Sequence, residues 1–302
     1  VFNYRVSDHI WPKKDQVYLE CWHGTPLKRL GYDLQNEGGN VMNSLKEVRE
    51  KYDLDAAKFR YILSPSEFTT EKFTSAWNLK QAGKENAILQ EGYPRNDYLL
   101  NHTPEDVEQV KRALHIMPED IGGRKIVLYA PTWRDNQHDS ADGYSYQLGV
   151  DFARLRQALG EECIILFRAH YLVANQFDFA AYEGFVWDVS QYPDINGLYV
   201  VSDLLITDYS SVFFDYANLK RPILFYMYDL AAYRDDIRGF YLDLKELPGS
   251  IVETEEALIQ AIPQALEQDA YDEKYQRFHA RFNALDDGHA SERVVKRLLE
   301  TK

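Results

Sequence analysis

The sequence predicts an α/β protein of two lobes, each built on a parallel sheet with helices on its faces. Three observations lead there. The chain has 302 residues and 45% hydrophobic content, enough for two domains of ordinary size. Its strand candidates are short, continuous apolar runs rather than alternating ones, as strands covered on both faces require. These runs alternate with polar turns and helical stretches, the rhythm of right-handed βαβ units in an open, doubly wound sheet.

In the first lobe, residues 17–21, 61–63 and 87–89 read as strands, with helices at 46–52 and 67–77 between them. A boundary is expected between Gly92 and Gly123 and is placed at 103. Gly92-Tyr93-Pro94-Arg95-Asn96-Asp97 is turn chemistry, and Thr103-Pro104-Glu105-Asp106 reads as a helix start, with Thr103 as N-cap and Pro104 at the first helical position. Residues 104–302 then form the second lobe, with strands at 126–130, 163–167, 204–207 and 223–226. The polar connection 134–149 follows the first of these, where open α/β sheets carry ligand loops. The stretch 254–299 is helical and amphipathic, with Thr254 capping ahead of Glu255 and Glu256.

Composition excludes some function classes. A net charge of −14 argues against a general nucleic-acid binder, which presents a basic face to phosphates. Residues 1–100 carry 14 basic and 14 acidic side chains, so the whole deficit lies in the remaining 202. Contact with an anionic polymer or lipid headgroups is therefore expected in the first third. Cys21 and Cys163, each in an apolar run, suggest no disulfide framework and a reducing compartment. No signal peptide and no apolar run near 18 residues is present, which leaves peripheral attachment as the mode of membrane contact. A chain opening on Val1 inside a strand-like segment reads as a fragment or a processed chain.

Three clusters could carry chemistry. Trp22-His23-Gly24-Thr25-Pro26-Leu27-Lys28 follows the first strand. It delivers an imidazole, a hydroxyl and a cation to a strand end, where His23 reads as an acid/base group or as a structural histidine in a turn. Phe167-Arg168-Ala169-His170 places a guanidinium and an imidazole at another strand end. They would face a diphosphate together, or serve as a surface arginine and a capping histidine. In Thr207-Asp208-Tyr209-Ser210-Ser211-Val212 a strand runs into a helix. Ser210 is the N-cap candidate, and the N–H groups of Ser211 and Val212 form an anion site or simply open a capped helix. Smaller features are Thr132 and Arg134 after the strand at 126–130, Asp243 in an aromatic loop, and Arg95 in the expected hinge. No tetrahedral Cys/His set, DxD pair, Walker A loop, GxSxG elbow or GxGxxG fingerprint occurs, so no resident metal or cofactor is expected.

Taken together, WHGTPLKRLGYD (22–33), GYPRND (92–97), YAPTWRD (129–135), FRAH (167–170), LITDYSSVFFDYA (205–217), RPILFY (221–226) and RGFYLDL (238–244) resemble the CDP-glycerol glycerophosphotransferase family, the teichoic acid primases and polymerases. The motifs occur in the family's order along nearly the whole chain. The resemblance implies a GT-B-like fold with the donor between two Rossmann-like lobes, and direct displacement at the polyol-bearing phosphate with CMP leaving. It implies CDP-glycerol or CDP-ribitol as donor and a lipid-linked or polymeric polyol-phosphate acceptor of wall or capsule. The expected location is the cytoplasmic face of the membrane, with peripheral contact and no nucleic-acid partner. Residue by residue, His23 becomes the base for the acceptor hydroxyl, and His170 contacts the donor diphosphate. Ser210 and Ser211 become the phosphate cradle, while Lys28, Thr132, Arg134, Arg168, Asp208 and Asp243 bind substrate.

Two departures stand out. Sixteen residues precede the strand at 17–21, which implies an N-terminal lobe only partly contained in this sequence. Glu20-Cys21 stands where the resemblance leads one to expect Gln-Thr. Two other readings remain open at this stage: a nucleotide-sugar glycosyltransferase of the same architecture, which would release a nucleoside diphosphate, and a non-catalytic module binding polymer or a partner.

Overall fold

The computed structural model describes residues 1–35, 44–132, 138–139, 143–144, 149–169, 178–231 and 239–301. These fall into two compact units. The first contains residues 1–101, 239–246 and 276–301, the second 102–231 and 247–275.

In the first unit, strands β1 (Leu19–Glu20), β2 (Tyr61–Ser64) and β3 (Ile88–Gln90) form a parallel sheet in that order, with Leu19 opposite Tyr61 and Ile62 opposite Ile88. Helix α1 (Leu45–Lys58) opens on a capping box. The Glu47 N–H donates to Ser44 Oγ at 3.3 Å, and the Glu47 carboxylate accepts the Ser44 N–H at 2.7 Å. At its other end the Lys84 ammonium donates to the carbonyls of Ala57 and Phe59 at 3.1 and 2.9 Å. Helix α2 (Glu67–Ala76) is capped by Ser66.

The two faces of the sheet bury different partners, because side chains alternate along a strand. Ile62 packs with Phe59, Phe73, Trp77 and Leu79. Leu63, Leu19, Leu89 and Tyr93 face the other way and are covered by Val294 and Leu298 of the helix Ala290–Glu300. That cover explains why 276–301 joins the first unit although sequence position assigned it to the second. Each such buried aliphatic is worth about 1.5–3 kcal/mol. The helix is also anchored by polar contacts. The Asp97 carboxylate accepts the N–H groups of Ala290 (2.9 Å) and Ser291 (2.7 Å), and Asp286 accepts from Tyr93 N (2.8 Å) and Asn96 Nδ2 (2.7 Å). Gly92 makes this turn possible. Its φ is +83°, and a Cβ there would lie 2.4 Å from the Leu285 carbonyl oxygen.

The second unit opens with the helix Pro104–Leu114, whose Thr103 cap and Pro104 first turn match the sequence expectation. Its strands are β4 (Lys125–Tyr129), the short antiparallel pair β5 (His138–Asp139) and β6 (Gly143–Tyr144), then β7 (Cys163–Phe167), β8 (Val186–Asp188), β9 (Leu204–Thr207), β10 (Ile223–Tyr226) and β11 (Ser250–Val252). Six of them form one parallel sheet in the order β8-β7-β4-β9-β10-β11. By order of appearance this is 3-2-1-4-5-6, the dinucleotide-fold arrangement. Cys163, Ile164, Ile165, Leu166 and Phe167 are fully buried, as the continuous apolar run requires. The two edge strands, VWD and SIV, escape the sequence reading because half-exposed three-residue edges carry little apolar signal. The stretch 254–299 resolves into three helices, Glu255–Glu267 (capped by Thr254), Glu273–Phe282 and Ala290–Glu300.

Candidate active site

In a 3-2-1-4-5-6 sheet the chain leaves the first strand toward one side and returns on the other. The loops after the central pair therefore diverge and leave a crevice at their carboxyl ends. In the second unit that pair is β4 and β9, and the predicted residues Thr132 and Asp208 follow their ends. Asp208 is 1% exposed. Its Oδ1 accepts the Thr132 N–H at 2.8 Å, the Thr132 hydroxyl at 2.5 Å and the Tyr209 N–H at 2.6 Å. One level below, the Thr207 hydroxyl donates to the Ala130 carbonyl at 2.8 Å. The carboxylate thus braces the two loops together across the crevice floor.

Beyond Asp208 the sequence expectation needs correction. Ser210 is not the N-cap. The helix runs over Val212–Tyr216 with Ser211 at the cap position, and the Ser211 side chain makes no capping bond. Ser210 Oγ instead accepts the Val212 N–H at 3.4 Å, so that N–H is partly occupied. Both serines keep partial exposure. Just ahead of both serines Tyr209 is buried and donates its hydroxyl to Asp229 at 3.1 Å.

Arg168 follows β7, the other neighbour of β4. Its Nη1 donates to the carbonyls of Val189 (3.1 Å) and Tyr192 (2.8 Å), and burial pulls the guanidinium below its ordinary pKa against the pull of Tyr199 and Asp194. It is neither a surface arginine nor wholly committed to a ligand: it anchors the 189–192 loop. Next to it the Ala169 N–H donates to Ser190 Oγ at 2.9 Å. His170 and Arg134 lie outside the described residues.

In the first unit, His23 follows β1 through Trp22, whose φ of +51° turns the chain sharply out of the strand. Trp22 is buried edge-on against Trp77, with centroids 4.8 Å apart at 87°. The His23 ring lies 4.2 Å from Trp22 at 32° and 5.8 Å from Tyr4. The imidazole reaches solvent, yet its pKa falls below the ordinary histidine value. Desolvation by these rings is the main cause, Arg95 adds to it, and a hydrogen bond to the Asn3 backbone opposes it. A neutral imidazole near pH 7 follows.

Lys28 pairs with Phe240 in an antiparallel bridge. Around it the Arg29 N–H donates to the Gly239 carbonyl (3.0 Å) and the Tyr241 N–H to the Leu27 carbonyl (2.9 Å). The Tyr241 hydroxyl reaches Asp33 at 2.5 Å and accepts the Leu30 N–H at 3.1 Å. This pairing places Asp243, expected in the second lobe, in the first unit. Asp243 is exposed, and its Oδ1 accepts the Lys245 N–H at 2.9 Å, capping the short turn 244–246. The structure thus gathers Thr132, Arg168, Asp208, Ser210 and Ser211 at the carboxyl end of the second unit's sheet, and His23, Lys28 and Asp243 within the first unit. Sequence reasoning missed Tyr241 and Glu20 as structural members of the His23 loop. Tyr241 sits inside a quoted motif, so its signal was available; Glu20 stood out only as a departure from the expected Gln-Thr, and nothing in the sequence pointed to its burial or its bond to Trp22.

A family model described as CDP-glycerol:poly(glycerophosphate) glycerophosphotransferase matches residues 1–300. The chain is 43% identical over 305 residues to the teichoic acid poly(glycerol phosphate) polymerase of Bacillus subtilis, covering all of this chain and 40% of that protein. It is 41% identical over 308 residues to the teichoic acid glycerol-phosphate transferase of Staphylococcus aureus, covering 99% of this chain and 75% of that one. Among solved structures, a histidine-to-asparagine variant of the wall teichoic acid polymerase TagF, soaked with CDPG, matches with a TM-score of 0.87 at 35% identity, over 99% of this chain and 71% of that chain. The expected α/β, GT-B-like fold is the fold of this relative.

Proposed function

This chain belongs to the CDP-glycerol:poly(glycerophosphate) glycerophosphotransferase family, and from that premise we propose that it transfers glycerol phosphate from CDP-glycerol to a teichoic-acid-like polymer, releasing CMP. The observation that carries this reading is the crevice at the carboxyl ends of β4 and β9, braced by Asp208 and edged by Thr132, Ser210 and Ser211. It is where a nucleotide fold takes a diphosphate. The glycerol donor follows the names of the two relatives above and the CDPG soak of TagF.

In this reaction an acceptor hydroxyl oxygen bonds to the glycerol-bearing phosphorus. The bond from that phosphorus to the bridging oxygen breaks, and the bridging oxygen leaves on CMP. His23 takes the hydroxyl proton, a task suited to an imidazole whose depressed pKa keeps it neutral. Hydroxyls of Ser210 and Ser211 donate to phosphoryl oxygens, Thr132, whose hydroxyl is held by Asp208, shapes the crevice wall beside them, and Arg168 supplies positive charge from the adjacent strand. His170 and Arg134 contact the donor diphosphate, as the resemblance implies, while Lys28 and Asp243 serve the acceptor side. No helix among the described residues is long and apolar enough to cross a membrane, and a lipid-linked acceptor would bring the protein to the inner membrane face peripherally.

The test is incubation with CDP-glycerol or CDP-ribitol and a lipid-linked or oligomeric glycerol-phosphate acceptor. CMP release with acceptor elongation is expected from CDP-glycerol. Release from CDP-ribitol alone reassigns the donor, and no CMP from either overturns the reading.

A further inference from the structure

We propose that Glu20 is the positioning residue for His23: its buried carboxylate holds the Trp22 turn that aims the imidazole. The proposal deepens the transferase reading above and rests on it for its kinetic consequences. Glu20 ends β1 and is completely buried. No cation lies within ion-pair distance of it among the described residues. Instead Oε1 accepts the Trp22 N–H at 2.8 Å, and Oε2 accepts the Tyr18 hydroxyl at 2.7 Å.

The Trp22 bond matters because Trp22 is a bulky, non-glycine residue at positive φ, a conformation that costs about 1–2 kcal/mol unless its surroundings impose it. Two constraints impose it here. The indole is locked against Trp77 and Phe73 in the core, and the N–H is locked to Glu20. His23 is the next residue, and its ring rests on that indole. Releasing the N–H lets the turn relax toward the ordinary extended region and carries His23 away with it.

Glu20 also titrates in a useful range. Burial is the main cause that pushes its carboxyl up to about 7, with Asp55 adding to it; the bonds from Tyr18 and Trp22 oppose it. The groups facing it are thus Tyr18, just before β1, and Asp55 from α1; Cys21 follows it in the chain. A carboxylate grips an N–H about twice as strongly as the neutral acid does. Protonating Glu20 near neutrality therefore loosens the Trp22 turn and lowers turnover.

The test compares the native protein with Glu20→Gln and Glu20→Ala. For the geometry, NMR of the His23 ring protons reads the ring-current shift from Trp22 and needs no activity. That shift should be reduced in Glu20→Gln and lost in Glu20→Ala. For the chemistry, kcat of Glu20→Ala should fall at least tenfold with KM for CDP-glycerol unchanged. Glu20→Gln, which imitates the protonated acid, should lose a few-fold in kcat and lack the acid limb near pH 7, keeping only the lower limb of His23. A role confined to stability would leave the profile of folded Glu20→Gln superimposed on the native one, and that result overturns the proposal. So does an unchanged His23 ring-current shift in Glu20→Gln. Should the native protein release no CMP at all, the transferase reading fails, while the NMR comparison still decides whether Glu20 positions His23.

Discussion

At the scale of single residues, Glu20 at the end of β1 and His23 just beyond it behave in opposite senses. His23 is depressed below its ordinary value, so its neutral form is favoured by folding. Stability contributed by this group is present above the unfolded pKa and is lost as pH falls through the folded one. Its limb of the activity profile follows the same direction: the loss of turnover that comes from protonating His23 itself should appear below pH 6.5, beneath the Glu20 limb near neutrality. His23→Ala should lower kcat by roughly 10²–10⁴, the usual contribution of a general base, and leave CDP-glycerol binding intact by calorimetry. Near-native kcat in this variant removes His23 from the chemistry. Glu20 is raised from 4.5 to about 7. Its contribution to stability is therefore full at low pH and is lost as pH rises from about 4.5 through 7, by on the order of 3 kcal/mol. Glu20→Gln should flatten this part of the stability curve in denaturant titrations at pH 5 and pH 8; a native-like slope contradicts it.

At the scale of elements, polar braces join segments that are remote in sequence. Asp208 ties the β4 and β9 loops through three donors to a single oxygen. Asp208→Ala strands the Thr132 and Tyr209 N–H groups, so it should cost about 1–3 kcal/mol in stability and also weaken CDP-glycerol binding. If calorimetry finds native affinity in that variant, the crevice is not the donor site. Asp286 does comparable work in the first unit by holding the Gly92–Asp97 turn through Tyr93 and Asn96. Its loss leaves the buried Asn96 amide short of a partner, and Asp286→Ala should be destabilising by a similar amount without affecting donor binding.

At the scale of the whole molecule, each of the two units has its own sheet and core. The first recruits its second face from the end of the chain, where Val294 is 3% exposed against Leu19, Leu63 and Leu89. A three-stranded sheet with a bare apolar face has little independent stability. Val294→Asp should therefore speed amide exchange in 61–64 and 88–90 while the amides of 125–129 and 163–167 keep their native protection. Equal acceleration in both sets would mean that the units do not unfold separately.

The sequence by itself determined the α/β class, the strands at 163–167, 204–207 and 223–226 to the residue, the helix caps at Thr103 and Thr254, and the motifs at strand ends. All of these are local signals: an apolar run, a capping side chain, or a polar cluster following a strand. Tertiary structure alone decided the strand order that makes β4 and β9 neighbours, the return of 239–246 and 276–301 to the first unit, and the use of Glu20 beneath His23. Each depends on contacts between residues far apart in the chain, or on the complete burial of a carboxylate that the sequence shows only as a departure from the expected Gln-Thr. A strand's composition records that it is covered, but not which segment covers it, because burial of apolar area is non-directional. Fold class was therefore legible from the chain, whereas the geometry that sets His23 and the crevice was not.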